Sequence, residues 1–394
     1  MCDFIQLAYE LAQKIQVGAC ERDLNRILPV QEMELIRQSN LGAARLPLEY
    51  GGGDISFVDV ANIFAILAKA DACVAQALFP HFATVEHLRL IATSAQQSYY
   101  FTQIASPKLT SGAIAERSGK FRGEISTQLS LLNGQYFLNG TKFYSTGCLF
   151  ADFIKVQAIN EKGEAVYVMI PKDASGLNLL DDWDGMGQRT TASGTTQLNN
   201  IAVHPDWIIP LHLWTNKRNY IGAVAQLIHC SIDVGIGLAA LDEAIQWIGK
   251  GVRPVKESGV ERAADDPYIL YTIGELSAQI HAAEALVESA ARKVDLASKA
   301  QLSQQLDIQD IERLLQEASI AVAEAKILST RASLFVCERL YEVGGAATTQ
   351  RKLNFDRYWR NARTHTTHDS LAYKYKTIGN YLVNDVAPPI SFLY

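Results

Sequence analysis

Several familiar signatures of function are missing from this chain of 394 residues. Its six cysteines are scattered and include no Cys-x-x-Cys pair, which argues against a zinc or disulfide framework and predicts a reduced, cytoplasmic protein. No Gly-x-Gly-x-x-Gly stands between a strand and a helix, and no Walker A pattern is present, so classical dinucleotide and nucleoside-triphosphate folds are unsupported. The net charge of -6 argues against nucleic-acid binding.

The chain also shows no pattern typical of export, membrane insertion or metal binding. No basic segment precedes an apolar run at the N-terminus, so we expect no signal peptide. No apolar run reaches the length expected of a membrane span. The acidic residues 181–184 lack the spacing of a calcium loop, and we expect a solvated loop and no metal there.

Hydrophobic periodicity predicts a mostly α, α+β chain of three domains: an all-α domain (1–108), a β domain (109–216) and a helical bundle (217–394). Alternation predicts strands near 135–142, 154–159, 165–170 and 200–203, with Asn139-Gly140 as a turn pair. The later helices are expected at about 223–247, 266–296, 308–343 and 366–385.

Residues 363–370 are the most informative segment. They carry His365 and His368, two of the eight histidines, directly after the basic and aromatic run 357–362. Imidazole changes its protonation near neutral pH, so this pair is a candidate proton-handling site. The remaining histidines favour structural interpretations, since a lone histidine in an apolar helix, such as His81, is more often a satisfied core residue.

Three stretches rich in glycine and hydroxyl groups could contact a ligand. Residues 140–147 would let backbone and hydroxyl groups approach a flat ligand, although a hairpin with a polar edge explains them too. Residues 185–196 suit a polar ligand edge or a phosphate, or else form a hydroxyl-rich strand and turn. Residues 344–347 could let a cofactor approach the backbone, or simply cap a helix.

Taken together in this order, these motifs resemble the acyl-CoA dehydrogenase superfamily of flavoproteins over nearly the whole chain. The matching segments are 46–52, 139–147, 185–189 with 201–203, 343–346 and 357–363. The resemblance implies an N-terminal helical domain, a central β-barrel-like domain and a C-terminal four-helix bundle. Where the dehydrogenases commonly carry a catalytic glutamate, this chain has Asp369, flanked by His365 and His368.

The replacements resemble the flavin-dependent monooxygenase branch, which includes dibenzothiophene monooxygenase and the sulfur-acquisition oxidoreductases. Residues 360–369 and 191–196 carry that likeness. It implies reduced FMN from a separate NAD(P)H-dependent flavin reductase, a C4a-(hydro)peroxyflavin, a small organosulfur substrate and a homotetramer. An FAD-dependent acyl-CoA dehydrogenase with Asp369 as base is the alternative. The histidine pair disfavours a third possibility, a non-catalytic flavin-binding relative.

The resemblance also implies roles for individual residues. His81, Ser145, His365 and His368 would surround the flavin ring, with Ser145 near its N5 and C4 edge and His368 and His81 at the peroxide. Phe143 and Trp183 would wall the ring, and Arg253 would reach the FMN phosphate of a neighbouring subunit. The other residues expected at the cofactor are Thr191, Ser193, Gly344, Gly345 and Ala346.

Overall fold

The computed structural model describes residues 3–121 and 123–394. Helices form the first part of the chain. Two of them, α4 and α6, begin with a capping box, in which the N-cap side chain and the side chain of the third helical residue each accept a hydrogen bond from the other's backbone N–H. The helices are α1 (Phe4–Ile15), α2 (Ala19–Asn25), α3 (Val30–Ser39), α4 (Phe57–Ala70), α5 (Ala72–Ile91) and α6 (Ser94–Ala105).

A mixed sheet follows, with the order β6-β7-β3-β2-β4-β5-β8, and β1 pairs with β4. β1 and β2 both run parallel to β4, opposite different parts of it, and the other pairings are antiparallel. The strands are β1 (Thr110–Ala113), β2 (Gln128–Leu132), β3 (Gln135–Lys142), β4 (Phe153–Asn160), β5 (Ala165–Pro171), β6 (Leu177–Leu179), β7 (Thr196–Val203) and β8 (Ile208–Ile209).

The turn predicted at Asn139-Gly140 is wrong. These two residues lie inside β3, where the pairing with β7 shifts register after Leu138. A Cβ at Gly140 would overlap the side chain of Thr127, so glycine is needed there for a close approach rather than for a turn. The hairpin between β2 and β3 turns instead at Asn133-Gly134, which both have positive φ angles, 51° and 82°.

Helices return after the sheet and form the C-terminal bundle, which agrees with the predicted fold class. They are α7 (Ile221–Gly249), α8 (Pro267–Ser303), α9 (Ile308–Arg339), α10 (Asp356–Thr366) and α11 (Leu371–Asn384). The helix predicted at about 366–385 corresponds to α11, which begins at Leu371, but the prediction missed α10, which ends at Thr366. Sequence periodicity misses α10 because its buried face is aromatic and polar: Tyr358, Asn361, Ala362 and His365.

α7 is the central helix of this bundle. Its length and composition would let it cross a membrane, contrary to the prediction that no segment could, but 94% of its most apolar window is buried inside the protein. Two glycines let neighbouring helices approach the backbone of α7. A Cβ at Gly235 would overlap the Ala65 carbonyl of α4, and a Cβ at Gly237 would overlap the side chain of Ile280 of α8. Burial against α4, α8 and α9 accounts for the apolar sequence of α7.

A buried lysine sits between the sheet and α5. Lys155 Nζ lies 3.0 Å from His87 Nδ1, and Tyr167 Oη lies 3.2 Å from His87 Nε2. Because His87 Nδ1–H points at the Ala83 carbonyl, 2.6 Å away, the neighbouring amine is best placed when it is neutral and can accept. Burial lowers the pKa of Lys155 from 10.5 to about 7, so this lysine loses its proton near neutral pH.

We expect Lys155→Met to raise the free energy of unfolding at pH 7 by about 2 kcal/mol. In the unfolded chain Lys155 stays protonated up to about pH 10.5, its ordinary pKa. In the folded chain it is protonated only near pH 7 and below. The parent must therefore gain stability as pH rises from 7 to 10, and the variant must not. Urea unfolding at pH 7 and pH 9.5 measures this, with the exposed Lys162→Met as control; a parent midpoint that does not change would contradict it.

Candidate active site

Three histidines from different parts of the C-terminal helices meet in the interior; we call His229, His365 and His368 the histidine cluster. His229 Nδ1 lies 3.0 Å from His365 Nε2. The ring centroids of His229 and His368 are 4.4 Å apart, and those of His365 and His368 are 5.7 Å apart. α7 supplies His229, α10 supplies His365, and the break between α10 and α11 supplies His368. The predicted histidine pair is therefore part of a triplet.

A buried ion pair lies behind His365. Asp233 Oδ1 is 2.5 Å from His365 Nδ1, and Asp233 Oδ2 is 2.9 Å from Lys326 Nζ. The side chains of Asp233 and Lys326 are both 0% exposed. Asp233 follows His229 by one helical turn on α7, and Lys326 reaches across from α9. The four groups thus form a continuous line, Lys326–Asp233–His365–His229.

The hydrogen bonds fix which ring nitrogens carry protons. His365 Nδ1–H faces the Asp233 carboxylate, so the Nε2 of neutral His365 can accept from His229 Nδ1–H. His368 Nδ1–H donates to the His365 carbonyl at 2.6 Å, which leaves the lone pair of neutral His368 on Nε2. His368 is therefore neutral and presents an acceptor nitrogen rather than a charge.

Burial sets the charges of the histidine cluster. It lowers the pKa of His368 to about 3, and the nearby Lys326 acts in the same direction. Burial and the other two rings hold the pKa of His229 well below 6.5. Burial also lowers the pKa of His365, but Asp233 opposes it. Burial raises the pKa of the Asp233 carboxyl, but Lys326 and His365 together outweigh burial and keep that pKa low.

α5 closes one side of the histidine cluster. The ring of Phe79 lies 4.4 Å from that of His229, and Gln76 Oε1 lies 3.2 Å from His365 Nε2. Since the two amide atoms of glutamine are interchangeable in such a contact, Gln76 donates to neutral His365 through its NH₂ group or accepts from protonated His365 through its oxygen. Gln76 can therefore bond His365 in either protonation state.

The loop after β3 (residues 144–147) joins the sheet to this region. Gly147 packs so closely on α5 that a Cβ would overlap the Ala77 carbonyl oxygen, and its φ is 76°. The loop is therefore anchored on α5, the helix that also carries Gln76. Ser145 is 2% exposed, and its Oγ has no hydrogen-bond partner within residues 3–121 and 123–394. A buried hydroxyl without a partner indicates a missing polar ligand.

Residues 185–194 form the neighbouring loop and are bonded both to the 144–147 loop and to α10. Ser145 N–H donates to the Gly194 carbonyl and Gly147 N–H to the Thr191 carbonyl, both at 3.0 Å. Gln188 N–H donates to Asn361 Oδ1 of α10 at 2.7 Å. These bonds hold the two loops as one polar surface against the helices.

Several residues predicted at the cofactor lie on this surface. Thr191 Oγ1 donates to the Gln188 carbonyl, and Ser193 Oγ lies 2.6 Å from Thr191 Oγ1. Trp183 Nε1–H donates to the same Gln188 carbonyl at 2.8 Å. Phe143 is covered by the Arg117 guanidinium, 4.3 Å from the ring centroid. Thr191, Ser193, Trp183 and Ser145 are thereby brought together around residues 188–194.

Five other predicted residues lie at three other places in the structure. His81 Nε2–H donates to the Gly42 carbonyl at 2.9 Å, and His81 Nδ1 accepts from Thr110 N–H at 3.0 Å, so both ring nitrogens bond α5 to its neighbours. Gly344 packs against the indole of Trp247 at the far end of α7, followed by Gly345 and Ala346. Arg253 is exposed in the segment between α7 and α8.

Asp369 occupies the position expected of a dehydrogenase base. Its Oδ2 lies 3.0 Å from Lys374 Nζ, and the two side chains are 6% and 2% exposed. Burial lowers the pKa of Lys374, although Asp369 opposes this. A carboxylate held against a lysine is a poor proton acceptor, so this contact favours a structural role for Asp369.

Sequence reasoning missed His229, Asp233, Lys326 and Gln76. A signal was available: Asp233 stands in the middle of the apolar α7, four residues after His229 and on the same helical face. An aspartate inside a buried helix must be paired. In the described part of the chain, no group of histidine, cysteine, aspartate and glutamate side chains could hold a metal ion.

A polar cavity of about 210 Å³ lies beside the histidine cluster. Its walls include Cys73 of α5, Ile236 of α7 and Asn361 of α10. Cys73 lies about one helical turn from Gln76, and Ile236 about one turn from Asp233. Gln76 and Asp233 both contact His365. Asn361 lies about one turn from His365 itself. The cavity therefore lies next to the cluster along three helices.

Comparisons with known proteins agree with this geometry. The family model of the acyl-CoA dehydrogenase N-terminal domain matches residues 7–108, and that of the C-terminal domain matches residues 227–373. Dibenzothiophene monooxygenase of Mycolicibacterium goodii is 31% identical over 402 residues, which cover 98% of this chain and 95% of that protein.

Two solved structures superpose over the full length of both chains. FMN-bound TdsC from Paenibacillus sp. A11-2 is 30% identical, with a TM-score of 0.91 and 100% of each chain covered. Methanesulfinate monooxygenase MsuC from Pseudomonas fluorescens is 28% identical, with a TM-score of 0.91 and the same coverage. The chain thus belongs to the acyl-CoA dehydrogenase superfamily, in the flavin-dependent monooxygenase branch that contains dibenzothiophene monooxygenase.

Proposed function

We propose that this protein is a monooxygenase that uses reduced FMN and dioxygen to oxygenate a small organosulfur compound. The observation that carries the proposal is the buried histidine cluster, which stands where the dehydrogenases place a free carboxylate. Three neutral imidazoles can hold and pass single protons, whereas the one carboxylate nearby, Asp369, is held by Lys374. The FAD-dependent dehydrogenase alternative has no free base at that position.

The residues present fit a flavin. An isoalloxazine ring is flat and has a polar edge. Its site therefore needs hydrogen-bond donors on one side and protein backbone that can come close to the ring on the other. Ser145 Oγ is buried and has no hydrogen-bond partner among the described residues. The same is true of the amide oxygen and the amide nitrogen of the Gln188 side chain. Thr191, Ser193 and the indole of Trp183 lie beside them. We infer that Ser145 bonds the flavin ring and that the 185–194 loop supports its edge.

Bound reduced FMN supplies two electrons and activates dioxygen, so that one oxygen atom goes to the substrate, the other leaves as water, and FMN is released oxidised. The protein must keep water out of the site and control one proton at a time. Burial of His229 and His365, with His368 only partly exposed, serves the first need. The acceptor nitrogen of His368 and the proton-holding position of His365 serve the second.

Other roles follow as proposals. His81, with both nitrogens engaged by backbone groups, would act by fixing the position of α5 against β1 rather than by touching the peroxide. Arg253, exposed beyond α7, would contact FMN phosphate in a neighbouring subunit of a homotetramer, and Phe143, Gly344, Gly345 and Ala346 would complete the cofactor surface.

The substrate and the partner reductase complete the proposal. A dibenzothiophene and a methanesulfinate monooxygenase among the relatives support a sulfur atom as the oxygen acceptor. The electrons would come from an NAD(P)H-dependent flavin reductase in the cytoplasm. The cysteines seen in the structure are free thiols, which supports a reducing compartment.

The test is oxygenation under ¹⁸O₂ with FMN, NADH and a general flavin reductase, using dibenzothiophene and methanesulfinate as substrates. We expect one ¹⁸O atom per product molecule and activity with FMN but not with FAD. Ser145→Ala should weaken binding of FMN about tenfold, as expected for the loss of one buried hydrogen bond to the ligand.

Two results would refute the proposal. One is tight FAD binding with bleaching of the flavin by an acyl-CoA, which would move the protein to the dehydrogenases. The other is FMN binding without ¹⁸O in any product while peroxide accumulates. Thr195→Ala is the matched control for Ser145→Ala, since its hydroxyl lies at the end of the neighbouring 185–194 loop but already bonds Asp182 at 2.7 Å.

A further inference from the structure

We propose that Asp233, held in place by Lys326, makes His365 the proton-holding member of the histidine cluster and is thus a positioning residue for the reaction. The contact that carries this is the 2.5 Å approach of Asp233 Oδ1 to His365 Nδ1. The role in oxygenation rests on the proposed function, but the placement of the proton can be tested without flavin.

The line of contacts gives the three rings different tasks. A proton added to His365 goes to Nε2, because Nδ1–H already faces Asp233. It can then point at His229 Nδ1, 3.0 Å away, when His229 carries its own proton on Nε2. His365 can then return it through Nε2, because Gln76 can reorient to accept or to donate. His368 Nδ1 is committed to the His365 carbonyl, so His368 acts through Nε2. His365 stores the proton and its neighbours transmit it.

The charges that surround His365 come from every helix packed on it. α7 supplies Asp233 and His229, and α9 supplies Lys326. The segment from the end of α10 into α11 supplies His368 and the Asp369–Lys374 pair, which is internally neutral. α5 supplies only the uncharged Gln76. Asp233 is thus the carboxylate in hydrogen-bonding distance of His365, and Lys326 balances it so that the line is neutral before a proton enters.

The competing explanation is that Asp233 exists only to pair with Lys326. Removing Asp233 alone cannot separate the two, because it would leave a buried ammonium without a partner. The double variant Asp233→Asn/Lys326→Met removes both charges and keeps similar volumes, and replacing a buried ion pair by uncharged groups is often neutral for stability. It isolates the effect of the carboxylate on His365.

The experiment is histidine C2-hydrogen exchange in D₂O between pH 5 and 9, followed by mass spectrometry on the full flavin-free chain. In the parent we expect the exchange midpoint of His365 to be the highest of the three cluster histidines. In the double variant it should move to lower pH by about one pH unit or more, as expected for loss of an adjacent opposite charge, while the exposed His281 keeps its midpoint.

The matched control is Arg45→Met/Glu86→Gln, which removes another buried pair, joined at 2.7 Å, away from the histidines. It should leave the His365 midpoint unchanged. If the double variant does not fold, Asp233→Asn/Lys326→Gln, which also removes both charges, must shift the midpoint in the same direction. An unchanged His365 midpoint, or a higher midpoint at His229 or His368, would overturn the inference while leaving the ¹⁸O₂ test of the function untouched.

Discussion

His368→Gln should lower the yield of oxygenated product per reduced FMN roughly 100-fold, the usual loss when a positioned acid–base group is removed. Glutamine keeps a polar side chain of similar reach but has no ring nitrogen that can accept or return a proton during the reaction. FMN binding should change little, because the polar surface around Ser145 is intact. The electrons then appear as hydrogen peroxide instead of product, which a peroxide assay beside product quantification measures directly.

The control for this variant is His281→Gln, on the exposed side of α8, where His281 contacts Ser277. It should retain the parent's ratio of product to peroxide. A His368→Gln enzyme with the parent's ratio would show that His368 does not handle the reacting proton. A variant that lost FMN binding would instead assign His368 to holding the flavin.

Sequence periodicity could predict the order of the helices and the sheet, because long amphipathic helices and alternating strands leave clear patterns. α7 and α9 were expected close to where they lie. α10 could not be found in this way, since it buries tyrosine, asparagine and histidine rather than aliphatic residues. The turn at Asn133-Gly134 was missed because a second Asn-Gly pair six residues on carries the same local signal.

The candidate site could be predicted only in part, for a physical reason. His365 and His368 share one short segment, so sequence shows their proximity. His229 and Lys326 reach them from α7 and α9 through packing of helices far apart in the chain, which no local pattern records. Motif resemblance placed His81 at the peroxide, whereas its ring bonds Gly42 and Thr110; resemblance gives a residue's position in the chain but not its hydrogen bonds.

Lys326→Met should destabilise the protein by about 3–5 kcal/mol at pH 8, the usual loss when one partner of a buried ion pair is removed. Asp233 is then a carboxylate in a helix core without its lysine partner, still bonded to His365 and Thr330. As pH falls, His365 can take up a proton and replace the missing cation. Part of the lost stability should therefore return between pH 8 and pH 6.

The sign follows from linkage. Without Lys326, the Asp233 carboxylate raises the pKa of His365 in the folded variant above that in the unfolded chain, so the stabilisation is present at low pH and is lost as pH rises. Urea unfolding midpoints at pH 6 and pH 8 measure it. Lys142→Met is the matched control: it breaks the buried Lys142–Glu116 pair, where Glu116 bonds hydroxyl groups rather than a histidine. Equal recovery in both variants would show that His365 does not compensate for the missing charge.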